Sequence, residues 1–198
     1  MQTLVTICSR TPGFARFEKS IEENRNFVWE KVFVNPYPGN TKRWEHLPKG
    51  LTGQIIFTDT DDVVLQGHVP EMLGIVTAPE NVLHKDSFWA DKCVGIYEPL
   101  LEKPVYNAGM MSMPAEEMYE MADFILKHPG NDQLSYNLWL LGKRHTPNIS
   151  IFLPLYDNIK NSEKIDTGKR GKFWFTKVEE GMVIPRFVHA NGNNKDKL

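Results

Sequence analysis

Three carboxylates lie within four positions of the sequence, at Asp59, Asp61 and Asp62. The apolar run 55–57 precedes them, and a second apolar run, 63–65, follows. Such runs predict a strand of a parallel sheet that is buried on both faces, with the carboxylates at its ligand-binding carboxyl end. Crowded anions repel one another, and Mg²⁺ or Mn²⁺ shared with a phosphate would relieve that repulsion. A solvated acidic turn is the alternative interpretation.

Two enzyme chemistries fit this stretch. In a haloacid-dehalogenase-like phosphatase, Asp59 would be the nucleophile and Asp61 the general acid or base. That chemistry needs another acidic pair after a later strand, and no clear pair follows. In a glycosyltransferase, an Asp-x-Asp-like motif holds a divalent metal on the diphosphate of a nucleotide sugar, where the metal stabilises the leaving group. A histidine near the end of the domain often completes that metal site, and His189 fits the position.

The residues after His189 favour the glycosyltransferase. Asn191 and Gly192 would allow a turn whose backbone accommodates phosphate. Lys195 would then reach the diphosphate as a point charge. A lone histidine after a strand is more often structural, so this alternative stays open for His189.

The bulk composition is that of one ordinary globular domain, residues 1–198. The net charge of -2 gives no global attraction to nucleic acid or membrane. Cys8 and Cys93 form neither a CxxC pair nor a disulfide framework. No signal peptide is recognisable, and no run approaches the ~18 apolar residues of a membrane helix. These features predict a cytoplasmic protein.

Strands that alternate with helices predict an α/β domain. Besides the acidic strand, strands are expected at 3–8, 27–34, 82–90, 105–111 and 149–153. Helices are expected at 14–25, 41–47 and 69–74, from Pro114 to a stop at 128–130, and from Asp132 to Leu141. The small residues in the middle of 105–111 would let a backbone approach a ligand closely. Asp132 would begin a helix, where the helix dipole favours a carboxylate that binds a sugar hydroxyl, acts as a base, or merely caps the helix.

At five places in order, the chain resembles the glycosyltransferase domain of procollagen lysyl hydroxylases, whose relatives include procollagen glycosyltransferases and small viral homologues. The five places are the first strand with Gly13-Phe14-Ala15-Arg16-Phe17, the acidic stretch 57–63, Tyr106-Asn107-Ala108-Gly109, the segment 131–136, and 189–195. The resemblance implies a GT-A-like (Rossmann-like) domain with a mostly parallel central sheet flanked by helices. It also implies Mn²⁺ or Mg²⁺ as the metal and a UDP-sugar as the donor.

The resemblance also implies roles for individual residues. The metal ligands would be Asp59, Asp62 and His189. The donor would be bound by Thr6, Lys42, Asp61, Asn191, Gly192 and Lys195. Asp132, with Asn131 beside it, would lie by the transferred sugar and the acceptor hydroxyl.

Two positions depart from the family pattern. Asp61 stands where relatives have an aromatic residue that stacks on the donor base, so base recognition must differ or move. Asn131 stands where relatives have an aspartate, and an asparagine cannot act as a base. Both departures would also suit a nucleotide-sugar-binding module that has lost turnover, which is the non-enzymatic alternative.

A basic and aromatic segment, 169–175, bears on the acceptor. Lys169, Arg170, Lys172 and Trp174 interleave charge with aromatic rings, as a nucleic-acid contact would. A basic hairpin with core aromatics is the alternative. Small glycosyltransferases of bacteriophages decorate hydroxymethylated bases, so the leading hypothesis is a flipped base of phage DNA in the host cytoplasm. A hydroxyl of a protein or a surface glycan is the other candidate acceptor.

Overall fold

The computed structural model describes residues 2–128, 130–155, 167–170, 173–179 and 181–190. The strands are β1 (Gln2–Cys8), β2 (Val28–Phe33), β3 (Gln54–Thr58), β4 (Val63–Leu65), β5 (Ile75–Leu83), β6 (Pro104–Pro114), β7 (His145–Pro147), β8 (Phe152–Leu155), β9 (Thr167–Arg170), β10 (Phe173–Val178), β11 (Gly181–Val183) and β12 (Phe187–Ala190). The α-helices are α1 (Pro12–Asn24), α2 (Ala115–Lys127) and α3 (Asp132–Leu140). Short 3-10 helices cover Lys42–His46, His84–Asp86, Ala90–Lys92 and Gly95–Leu100. The predicted α/β class is confirmed.

The central sheet has six strands in the order β2-β1-β3-β6-β5-β7. Strand β1 runs parallel to β2 and β3, and β5 runs parallel to β7. Strand β6 is antiparallel to both β3 and β5. The sheet is therefore mixed, and the expectation that it would be mostly parallel holds only for part of it. The connection from β5 to β6, residues 84–103, consists of 3-10 turns and irregular chain with no α-helix that crosses over the sheet, and β6 returns antiparallel to β5.

Strand β3 is buried on both faces, as its apolar run predicts. On one face Ile55 and Phe57 pack in a cluster with Trp44 and the core side of α2. On the other face Ile56 packs in a second cluster that contains Phe17 of α1. Burial of both faces fixes where the strand ends, and therefore where the acidic turn begins.

A smaller sheet, in the order β4-β12-β8, lies beyond the acidic turn. Strand β12 is antiparallel to β4, and the register pairs His189 with Val63. Because β4 directly follows the acidic turn, this pairing brings the histidine to the carboxylates. A third sheet has the order β11-β10-β9.

Two predicted elements are wrong. Segment 69–74 is not a helix, because its polar backbone groups bond elsewhere: Val69 O accepts from Asn26 Nδ2, and Met72 N donates to Gln2 Oε1. The strand predicted at 82–90 is also absent, because β5 ends at Leu83 and 3-10 turns follow. In these segments Val69, Met72 and Val82 are buried whereas Leu73 and Phe88 are exposed, so the apolar spacing misleads. The short helix expected at 41–47 is the 3-10 helix Lys42–His46, and the strand expected at 149–153 starts only at Phe152.

The methionines Met118 and Met121 of α2 are core residues, as predicted. Within the described ranges, no helix combines the length and the apolar character needed to cross a membrane.

Candidate metal centre

The structure brings together the three residues predicted as metal ligands. Asp59 and Asp62 lie in the turn between β3 and β4, and His189 lies on β12. One ligand atom from each residue lies within 4.8 Å of the other two. His189 Nε2 is 3.1 Å from Asp62 Oδ1 and 3.8 Å from Asp59 Oδ2. Three groups separated by up to 130 positions of sequence thus meet at one point.

Backbone hydrogen bonds hold the acidic turn at both ends. Asp59 N donates to Gly109 O of β6 at 2.7 Å. Ala190 N of β12 donates to Asp62 O, also at 2.7 Å. The positions of both carboxylates are therefore set by two different sheets, and the side chains need not hold each other in place.

Glycine makes room for these ligands at Gly109. A Cβ atom at this position would lie 2.5 Å from Asp59 Oδ2 and 2.5 Å from His189 Cε1. At the small residues of β6, where a close approach of the backbone to a ligand is predicted, the structure thus shows the side chains of Asp59 and His189 against the backbone. Gly13, at the start of α1, has a similar reason to be glycine, because its Cβ would lie 2.1 Å from the backbone oxygen of Asp61.

The imidazole of His189 is oriented by Asn107. His189 Nδ1 is 3.0 Å from Asn107 Oδ1, and Gly109 N donates to the same oxygen at 2.9 Å. A backbone N–H can only donate, so the oxygen of the amide faces both groups. Since that oxygen can only accept, His189 Nδ1 carries the proton that it donates, and Nε2 is the nitrogen that faces the carboxylates.

The electrostatics of the cluster favour a cation. Burial lowers the pKa of His189, but the hydrogen bond to Asp62 and the charges of Asp62 and Asp59 outweigh burial and raise the pKa above its ordinary value. Burial raises the pKa of Asp59, against the opposing charges of Arg43 and His189. Two carboxylates and one imidazole nitrogen, whose proton a metal would displace, converge here, and this ligand set fits Mn²⁺ or Mg²⁺.

Arg43 is a residue of the site that the sequence analysis missed. Its Nη1 donates to Asp59 Oδ1, and its Nη2 donates to Asp132 Oδ2 at 3.0 Å. The side chain is buried, and although burial lowers its pKa, the charges of Asp59 and Asp132 raise the pKa overall. The predicted donor-binding residue, Lys42, is its exposed neighbour in the same 3-10 helix. Nothing in the sequence distinguishes two adjacent basic residues. Arg43 is the one that turns inward, where its guanidinium lies 5.3 Å from the centre of the Trp44 ring.

Asp132 and Asn131 take different positions at the start of α3. Asn131 is the N-cap, and its side chain accepts a hydrogen bond from Leu134 N at 3.1 Å. The capping interpretation therefore belongs to Asn131 and not to Asp132. Asp132 is buried and directs Oδ2 to Arg43, which joins it to the metal centre.

Thr6 and Asp61 are the other described residues predicted to bind the donor. Thr6 is fully buried, and its hydroxyl accepts from Trp29 Nε1 at 3.1 Å, so its side chain is turned toward the packing of β1 and β2. Asp61 accepts from the hydroxyl of Thr11, the N-cap residue of α1, through Oδ1. Its backbone oxygen accepts from Arg16 Nη2 at 3.1 Å.

A cleft of about 270 Å³ opens over the carboxylates. It is lined by Ile7, Cys8, Ser9, Tyr37, Asn40, Arg43, Asp59, Thr60, Asp61 and Asp62. Strands β1 and β3 are parallel neighbours, and both end at this cleft. The side chain of Asp59, which is 26% exposed, reaches it directly.

Several predicted residues lie outside the described residues: Asn191, Gly192, Lys195 and Lys172. The first three follow Ala190, the last residue of β12. Lys169 and Arg170 are exposed on β9. Trp174 is half-buried on β10, with Lys169 Nζ lying 5.3 Å from the centre of its ring.

No protein-family model matches the chain, and no curated protein matches it significantly.

Proposed function

We propose that the protein is a metal-dependent glycosyltransferase that transfers a sugar from a nucleotide sugar, a UDP-sugar, to a hydroxyl group. The observation that carries this proposal is the convergence of Asp59, Asp62 and His189 beside a further carboxylate, Asp132, with Arg43 between them. A cleft at the carboxyl ends of the parallel strands β1 and β3 supports a GT-A-like arrangement, since open α/β sheets bind nucleotides there.

In this function Asp59, Asp62 and His189 would hold the metal. The bound metal would supply a positive charge that stabilises the departing nucleoside diphosphate. Arg43 places a fixed positive charge in the same region, and its two carboxylate partners orient it without the flexibility of an exposed side chain. Asp132, fixed through Oδ2, would use its carboxylate to orient a sugar hydroxyl or to receive the proton of the acceptor hydroxyl.

Tyr37 would take over the recognition of the donor base. Asp61 occupies the position of the stacking ring in the resembling family, and it bonds to Thr11. Tyr37 lines the same cleft and is 37% exposed, with its hydroxyl 3.4 Å from Arg43 Nη1. An aromatic ring that is partly exposed in the cleft and hydrogen-bonded at its hydroxyl could stack on a base.

The acceptor that we propose is a hydroxymethylated base in DNA. Lys169 and Arg170 are adjacent and exposed, and Trp174 lies beside Lys169. The backbone of Trp174 is tied to the residue after β4, since Gln66 Oε1 accepts from Trp174 N at 2.6 Å. A basic and aromatic hairpin is thereby anchored to the strand that leads out of the acidic turn. Such a surface suits the phosphates and bases of nucleic acid.

The experiment that tests this function is incubation of the protein with Mn²⁺ and a panel of UDP-sugars, with acceptors that include hydroxymethylated DNA, a protein and a glycan. Metal-dependent release of UDP, coupled to a gain of one sugar in the mass of the DNA, is expected. Transfer to the protein or glycan alone would support the glycosyltransferase activity and contradict the proposal that DNA is the acceptor.

Two other results would contradict the enzyme itself. Tight binding of UDP-sugars without hydrolysis or transfer would indicate a binding module. Metal-dependent release of phosphate from phosphomonoesters, lost in Asp59→Asn, would indicate a phosphatase.

A further inference from the structure

We propose that Asn107 is a positioning residue, which fixes the tautomer of His189 so that Nε2 is always the nitrogen presented to the metal. This inference rests on the proposed metal site. It assigns a role to a residue outside the predicted ligand set, which bonds to the imidazole at Nδ1 and not at the nitrogen that faces the carboxylates.

The orientation of the Asn107 amide is set from both sides. Its oxygen accepts from Gly109 N at 2.9 Å, and its Nδ2 donates to Glu80 Oε1 at 3.1 Å. A flipped amide would turn an NH₂ group toward the Gly109 N–H and an oxygen toward the carboxylate of Glu80. Both contacts would then be repulsive, so the observed orientation is the only one that satisfies both neighbours.

Glu80 is itself held by a second amide. Gln133 Nε2 donates to Glu80 Oε1 at 3.1 Å, and Gln133 Oε1 accepts from Ala108 N at 2.8 Å. Glu80, Asn107 and Gln133 are all buried. A buried network in which each orientation is fixed by its neighbours is rigid, because any rotation leaves polar groups unpaired.

The consequence for His189 follows from the chemistry of a neutral imidazole. Only one ring nitrogen carries a proton, and the other is free to bind a metal. Since Asn107 Oδ1 accepts from Nδ1, a proton stays on Nδ1, and Nε2, which faces Asp59 and Asp62, is the nitrogen whose proton a metal would displace. The other tautomer would direct an N–H group at the metal position and remove a ligand. Loss of a hydrogen-bond partner that orients a metal-binding histidine typically weakens metal affinity about 10–100-fold.

The test compares two buried asparagines that both bond to β6. Asn107→Leu removes the acceptor of His189. Asn137→Leu is the matched control, since Asn137 bonds only to backbone in the described residues, at Tyr106 N, Tyr106 O and Gln133 O. Calorimetry with Mn²⁺ alone measures affinity, and ¹⁵N NMR of the imidazole in Mg²⁺-saturated protein reports which nitrogen carries the proton.

For Asn107→Leu we expect a 10–100-fold weaker Mn²⁺ affinity and NMR signals of both tautomers. Asn137→Leu should keep the parent affinity and the single tautomer with the proton on Nδ1. Parent affinity and a single tautomer in folded Asn107→Leu would overturn the positioning role and leave the metal site intact. A parent protein that binds no Mn²⁺ would overturn the metal site and the positioning role with it.

A second variant keeps the proposal testable if Asn107→Leu does not fold. Asn107→Ala removes the same acceptor without placing a larger apolar side chain in the network. We expect Asn107→Ala to show the same weaker Mn²⁺ affinity and signals of both tautomers. Parent affinity and a single tautomer in folded Asn107→Ala would contradict the proposal.

Discussion

Asp59 and Asp132 are bound by the same guanidinium, that of Arg43, although Arg43 and Asp132 are 89 positions apart in the sequence. One carboxylate belongs to the candidate metal centre, and the other begins α3. The arrangement makes the candidate metal site and the proposed sugar-binding carboxylate one electrostatic unit. With Asp62 added, three carboxylates face Arg43 and His189, so the unit carries a net charge of -1 while His189 is protonated and -2 once that proton is lost, and a divalent cation would balance the latter.

Arg43 should be essential for stability. Arg43→Met keeps much of the length of the side chain but leaves two carboxylates without their partner, and we expect a loss of about 3–5 kcal/mol in the free energy of unfolding by urea. The stability of Arg43→Lys should lie between that of the parent and that of Arg43→Met, because an ammonium group cannot bind both carboxylates in the same geometry. Lys42→Met, at the exposed neighbour, should stay within about 0.5 kcal/mol of the parent. Equal stability of the two methionine variants would contradict the role given to Arg43.

Gly109 should tolerate no side chain. Gly109→Ala forces a Cβ atom against Asp59 Oδ2 and His189 Cε1. We expect it to displace the ligands, to cost about 1–3 kcal/mol in the free energy of unfolding, and to weaken Mn²⁺ binding measured by calorimetry. Gly142→Ala is the control, since a Cβ there meets nothing within 4 Å. If Gly109→Ala binds Mn²⁺ as the control does, the close packing of the centre is not needed for binding.

Cys8 lines the cleft but should be unreactive at neutral pH. Burial raises the pKa of its thiol from 9.0 to about 11, against the opposing hydrogen bonds of Thr6 and Thr60. The thiolate is the reactive form, so labelling of folded protein by a disulfide reagent should be slow at neutral pH and fast after denaturation. The stabilisation that comes with this raised pKa is fully present below the pKa of the thiol in the unfolded protein. It is lost as the pH rises through the pKa of the thiol in the folded protein. The contribution of Cys8 to stability should therefore fall between about pH 9 and 11.

Cys8→Ser is the control for that experiment. It should remove the slow labelling that is specific to Cys8 and flatten the decline in stability over the same pH range. Rapid labelling of Cys8 in the folded parent at neutral pH would show that the thiol is not held in its protonated form.

Tyr37 should contribute its ring to the binding of UDP. Stacking on an aromatic side chain is worth about 1–3 kcal/mol per base, so Tyr37→Ala should weaken UDP affinity about 5–150-fold in the presence of Mn²⁺. Tyr37→Phe keeps the ring and loses only the contact to Arg43, and its affinity should stay close to that of the parent. Equal effects of the two substitutions would assign the contribution to the hydroxyl and not to stacking.

The basic hairpin should contact DNA phosphates. The double variant Lys169→Gln with Arg170→Gln should weaken DNA binding and lower the slope of log affinity against log salt by about 0.9 for each lost contact. Lys127→Gln, at an exposed lysine of α2, is the matched control and should change neither quantity. An unchanged slope in the double variant would remove this hairpin from the proposed acceptor surface.

The sequence predicts the local features of this fold better than its long-range ones. The runs around β3 predict a strand and an acidic turn, because burial on both faces leaves a clear apolar pattern. The mixed direction of the sheet is not predictable in this way, since it depends on the short turns that join β5 to β6. The choice of Arg43 over Lys42 depends on packing between distant elements. The network around Asn107 likewise consists of contacts between β5, β6 and α3 that no spacing reveals.

The most direct test of the proposed function is the release of UDP from UDP-sugars, measured with and without Mn²⁺ in the parent, in Asp62→Ala and in Asp123→Ala. Asp62 lies in the candidate centre, whereas Asp123 is an exposed residue of α2. We predict release that requires Mn²⁺, is retained in Asp123→Ala and is lost in Asp62→Ala. Release that is equally fast without the metal or in Asp62→Ala, or no release from any UDP-sugar, would contradict a metal-dependent glycosyltransferase.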